Sequence, residues 1–101
     1  MLKNTTKKHY RSLAHALNPI VTIADKGLTD NVRAELMRAL EDHELIKVKL
    51  VIADRDSRKE TCETIAKELS CEVVQQIGKV VVLFKAAKKP NPKLSNLLRR
   101  S

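Results

Sequence analysis

Apolar residues recur along this chain with two periods, one helical and one alternating. Tyr10, Leu13, Ala14 and Leu17 fall at i, i+3, i+4 and i+7, the spacing of one buried stripe on a helix. Thr5 or Thr6 is a suitable cap for its start. Asn18-Pro19 ends it, because a residue before proline avoids the helical region. Ile20, Val21, Thr22 and Ile23 are all β-branched and predict a short strand. Val32, Leu36, Met37 and Leu40 give the buried side of a second helix. Thr29 is its N-cap, Asp30 suits the positive end of its dipole, and His43 or Glu44 ends it. From residue 45 to 52 the pattern alternates, with Ile46, Val48, Leu50 and Ile52 on one face and Lys47 and Lys49 on the other, which predicts a second strand. Ser57 and Glu60 fit a capping box. Cys62, Ile65, Ala66 and Leu69 follow as the stripe of a third helix. Residues 71–76 and 79–85 read as two strands joined through Ile77-Gly78, with Gly78 supplying the turn.

The predicted order is therefore α-β-α-β-α-β-β. Helices between strands call for crossovers and some parallel pairing, and the final hairpin adds an antiparallel pair. The expectation is an α/β domain with a four-stranded mixed sheet, in two or partly three layers. After Phe84 the composition changes to prolines and cations. Residues 1–86 read as the folded domain, and 87–101 as a basic tail with a short helical turn at Leu94–Leu98. A chain of 101 residues makes one domain and buries about two-thirds of its unfolded surface.

Charge changes the picture more than length does. The net charge is +8, and it is terminal. Residues 1–19 hold four Lys and Arg and no acid, and residues 85–101 hold six and no acid; residues 20–84 hold ten against twelve Asp and Glu. This asymmetry points to a polyanionic partner, with nucleic acid the favoured kind. Tyr10 and Phe84 are the only aromatics. RNA-recognition motifs and OB-folds stack bases on exposed aromatics, so both are disfavoured. A backbone clamp built on a glycine loop needs none.

Catalytic chemistry is poorly represented. No Ser-His-Asp or Cys-His arrangement is suggested by local context, and His9, His15 and His43 lack metal-ligand spacing to one another. Asp54 and Asp56 have no glycine or later glutamate to complete a calcium loop. There is no P-loop or dinucleotide fingerprint, so no cofactor and no small-molecule substrate are expected. Cys62 and Cys71 read as small core residues. The amino-terminal segment lacks the apolar run of a signal peptide, and Val80–Phe84 is too short to cross a bilayer. A cytoplasmic monomer with no membrane partner is the expectation.

The sequence "ADKGLTDNV", residues 24–32, carries one of only two glycines at the mouth of the second helix. Two readings stand side by side: a tight strand-to-helix turn, or a phosphate site. A helix start offers amide groups and positive dipole, glycine admits a close backbone, and Lys26 adds charge. Lys7, Arg11 and His15 share a basic face of the first helix at i, i+4 and i+8, and Lys8 adds to its charge. Lys47 and Lys49 either extend such a patch or only solubilise the sheet.

"LAHALNPIVTIADKGLTDNV", "ALEDHELIKVKL" and "VVQQIGKVVVLFK", in this order over residues 5–86, resemble the bacterial YhbY-like proteins. Those consist of a single CRM (chloroplast RNA splicing and ribosome maturation) domain. The resemblance implies a fold like the C-terminal domain of bacterial translation initiation factor three. It also implies RNA binding, on 23S ribosomal RNA in the pre-50S particle, through a GxxG loop. That loop maps to Ala24, Asp25, Lys26 and Gly27, with Ala24 in place of the first glycine and Asp25 adding an acid. Ile77-Gly78-Lys79 also matches, with Lys79 a secondary contact. The expected RNA contacts are Ala24, Asp25, Lys26, Gly27, Lys7, Lys8, Arg11 and Lys79. The rival from another class is an adaptor that docks on ribosomal particles by protein contacts through its basic helix and tail.

Overall fold

The computed structural model describes residues 4–97. Lys3, Leu98, Arg99 and Arg100, which enter the terminal charge and the tail reading, lie outside the described residues. The elements are α1 (Asn4–Ala14), β1 (Pro19–Ala24), α2 (Asp30–His43), β2 (Leu45–Val51), α3 (Arg55–Leu69), β3 (Glu72–Ile77) and β4 (Val80–Phe84). This is the predicted order. The strands form one mixed sheet in the order β1-β2-β4-β3. β1 and β2 are parallel, and β4 is antiparallel to both β2 and β3. The parallel pair requires a crossover, and α2 supplies it. Among the described residues, no helix is long and apolar enough to cross a membrane.

Alternation along each strand divides the core in two. Val21, Ile23, Ile46, Val48, Leu50, Val81 and Leu83 point to one face, under Leu36 and Leu40 of α2 and Cys62, Ile65 and Leu69 of α3. Leu45, Val74, Val82 and Phe84 point to the other face, under Tyr10, Leu13 and Ala14 of α1. The domain therefore has three layers, with α1 the helix on this side among the described residues. Register shifts between Val73 and Gln75 where β3 pairs with β4. This bulge puts Val74 in the α1 cluster although Val73 packs in the other. It also pairs Gln75 with Val82, on the α1 face.

Four local features differ from the pattern. α1 ends at Ala14, before Pro19, because its last turn tightens to three-residue bonds, Leu13 O to Ala16 N at 3.3 Å and Ala14 O to Leu17 N at 3.0 Å. Leu17 still packs against the α1 cluster. Met37 is 56% exposed. The buried stripe of α2 is centred on Leu36, Ala39 and Leu40, and Met37 lies about 100° around the helix from Leu36. α3 is capped by Asp54 rather than Ser57, so it starts earlier. The Asp54 carboxylate accepts the Ser57 amide at 2.9 Å and the Ser57 hydroxyl at 2.8 Å, and these bonds hold it below the usual carboxylate range. Thr29 caps α2 as expected, its hydroxyl accepting the Val32 amide at 3.2 Å.

The fourth concerns the segment after residue 86. It folds back on the end of α2. Glu44 is buried, and its carboxylate accepts the Ser95 hydroxyl at 2.7 Å and the Ala87 amide at 3.0 Å. Asn96 donates its side-chain amide to Leu45 O at 2.6 Å, and its backbone amide to His43 O at 2.9 Å. Leu97 joins the α1 cluster. Its polar composition gave no hydrophobic period from which this docking was legible.

Candidate nucleic-acid interface

Parallel pairing sends the C-terminal ends of β1 and β2 to one edge of the sheet. Ala24 pairs with Val51 there. The β3–β4 turn lies at the same end, since Lys49 pairs with Val80 and the Leu50 amide donates to Lys79 O at 2.6 Å. The loop at Ala24–Gly27 and the turn at Gly78-Lys79 are thus neighbours across the end of β2. Asp25, Lys26 and Lys79 are exposed.

The loop is a tight turn closed by Gly27 N donating to Ala24 O at 2.8 Å, followed by Thr29 N to Gly27 O at 3.1 Å. Gly27 has φ +73°, and a Cβ built there would meet nothing within 4 Å. The glycine is therefore required by backbone conformation, and the space over it is open. Thr29 then turns the chain into α2 as its N-cap. Of the nearby acids, Asp30 is held by Arg33 at 3.2 Å, and Arg33 also binds Glu68 of α3 at 2.7 Å. Those contacts keep the Arg33 guanidinium firmly charged, the Glu68 bond first.

The cations of α1 lie on another part of the sheet, because α1 packs chiefly over β3 and β2 rather than over β1, which carries the loop. Lys8 is exposed and Lys7 half-buried, and Lys7 lies one turn before Arg11 on the helix. Arg11 and His15 share a cleft with Lys47 of β2. Between α1 and the loop, no described element covers the sheet, and Thr22, Lys49, Val51 and Ile77 are exposed. Lys47 and Lys49 project on this side, with Thr22 beside Lys49, and Ile20, Val51 and Ile77 are exposed hydrophobics.

Sequence reasoning missed one basic group. Arg55, Arg58 and Lys59 line a groove of about 480 Å³ with Asp56, Gln76 and Gly78. Arg58 Nη1 donates to Ile52 O at 2.7 Å and Ala53 O at 3.0 Å, which ties α3 to the end of β2. In the sequence these cations alternate with Asp54, Asp56 and Glu60, so net charge hides them. Only the strand order brings them beside the hairpin.

This architecture has known counterparts. Residues 2–85 match the CRS1/YhbY (CRM) domain. The chain belongs to the CRM-domain family. A Pseudomonas aeruginosa protein named "probable RNA-binding protein" is 44% identical over 98 residues, spanning 97% of this chain and 94% of that one. A Haemophilus influenzae protein named "RNA-binding protein" is 42% identical over 84 residues, 83% of this chain and 85% of that one. The solution structure of a Staphylococcus aureus protein superposes with a TM-score of 0.78 at 36% identity, covering 88% of this CRM domain chain and 93% of that one.

Proposed function

We propose that this CRM-domain protein is a non-enzymatic RNA-binding module that acts in assembly of the large ribosomal subunit. The observation that carries the reading is the open space over Gly27, beside Lys26 and the start of α2. A sugar-phosphate backbone fits a site where no side chain intrudes and amide groups and a cation converge. Lys79 adds a cation at the same end of the sheet. Arg11, Lys7 and Lys8 attract the chain farther along. The names of the relatives support RNA as the polyanion. The resemblance to YhbY-like proteins supports 23S ribosomal RNA in the pre-50S particle as its target and the cytoplasm as its setting. Ala24 in place of the first loop glycine adds one methyl at the strand end, where it is exposed, and leaves the space over Gly27 open.

The test is Lys26→Glu in the full chain. Affinity for single-stranded RNA at fixed salt is expected to fall at least tenfold with the melting temperature unchanged. For the unmodified protein, log affinity falls against log salt with a slope of about −0.7 for each contacted phosphate of a single strand. Unchanged affinity for Lys26→Glu removes the loop from the site. In cells, crosslinked RNA is expected to be rich in 23S ribosomal RNA. Crosslinks to protein alone overturn the reading in favour of an adaptor.

A further inference from the structure

The α1 face of the sheet holds a cleft of about 240 Å³. Its floor is aliphatic, from Ala14, Ile77, Val80 and Val82, and its polar groups are Arg11, His15, Lys47 and Gln75. No acid lines it. The volume is below the roughly 300–1,000 Å³ of pockets that enclose drug-sized ligands, so it suits one ring system. The cleft exists because α1 covers only part of its face. It has its polar lining because of the β3 bulge. Without that extra residue, Gln75 would point to the opposite face; with it, Gln75 sits opposite Val82.

We propose that this cleft receives one unpaired nucleobase of the bound RNA, with Arg11 and Lys47 holding the flanking phosphates. The inference rests on the RNA-binding reading above and deepens it from backbone attraction to a base subsite. Charge complementarity selects the occupant, because the charged groups at the rim among the described residues, Arg11 and Lys47, are cationic. An aliphatic floor takes the face of a base by excluding water, which substitutes for the aromatic platform this chain lacks. The Gln75 amide offers both a donor and an acceptor to a base edge. Lys49, next along β2 from this rim, leads toward the loop end of the sheet, so one strand of RNA can run from the cleft to Lys26.

The experiment compares two polyanions against the full chain: a single-stranded oligouridylate and inorganic polyphosphate, which has no bases. The double variant Gln75→Ala, Ile77→Ala changes one half-buried and one exposed side chain. It is expected to weaken oligouridylate binding roughly fivefold or more while leaving polyphosphate affinity and the salt slope unchanged. An oligomer carrying 4-thiouridine is expected to photocrosslink within the strand pair from Gln75 to Val82. Variant affinity equal to the unmodified protein's, with crosslinks confined to residues 24–30, overturns the base subsite but keeps the RNA reading. Equal affinity of the unmodified protein for both polyanions does the same. Failure of the unmodified protein to bind the oligomer at all overturns both. A photoreactive amino acid at position 77 that crosslinks to protein and not to RNA would assign the cleft to a protein partner instead.

Discussion

Gly27 and Gly78 hold φ of +73° and +54°, a region that costs an L-residue about 1–2 kcal/mol. Neither has a neighbour within 4 Å of a would-be Cβ, so alanine at either meets strain but no clash. Gly27→Ala is expected to lower the melting temperature by about 4–8 °C per kcal/mol lost, as thermal unfolding will measure. Cys62 and Cys71 make a second prediction at this scale. Both are free and buried, and burial pushes each thiol up to about 11. The native state therefore keeps protons that the unfolded chain begins to release near pH 9. The stability these thiols contribute is fully present below pH 9 and is lost between pH 9 and about 11, at up to about 1.4 kcal/mol per pH unit for each thiol. Denaturant midpoints measured from pH 7 to 10 check the sign. The cysteines were legible in the sequence because a helical stripe and a strand start placed them. The exposure of Met37 was not, since an apolar side chain one position off a stripe reads the same as one on it.

At the scale of elements, α2 carries the candidate site on its cap. Thr29→Ala removes the acceptor of the Val32 amide and is expected to cost about 1 kcal/mol. It should also weaken RNA binding, since the turn after Gly27 is set by the same residue; calorimetric unfolding and a binding titration read the two effects. This cap was legible because Thr29 directly precedes the apolar stripe. The Asp54 cap was not. Asp54 and Ser57 are both good cap residues three apart, and the choice is made by where the chain leaves the core after the buried Ile52, whose carbonyl Arg58 reaches back to bind. The bulge in β3 was equally hidden. Val73, Val74, Gln75 and Gln76 have no strict alternation that would mark which residue is extra.

The whole molecule shows what strand order adds to strand content. The sequence predicts four strands and a mixed sheet. It does not predict that β4 inserts between β2 and β3, and only that insertion brings Lys79 to the loop and leaves the α1 face half bare. The basic groups at residues 7–11, 26, 47–49 and 79 are far apart in sequence and share one side or one end of the sheet. The segment after residue 86 acts at this scale too. Ending the chain at Ala86 removes the Ser95 and Ala87 partners of the buried Glu44 carboxylate, and a buried acceptor left unmet costs about 1–3 kcal/mol. The shortened chain is expected to melt lower. Replacing Lys88 and Lys89 by Ala in the full chain should instead leave melting unchanged and make the salt dependence of RNA binding shallower.

The pairing of Tyr10 with Phe84, ring centroids 4.9 Å apart, has a practical outcome. Tyr10 is the sole tyrosine and there is no tryptophan, so it is the dominant near-ultraviolet chromophore. It sits on the one helix that closes the second layer. Its intrinsic emission and circular dichroism therefore form a built-in gauge of whether α1 stays seated when a ligand arrives, without any label being attached.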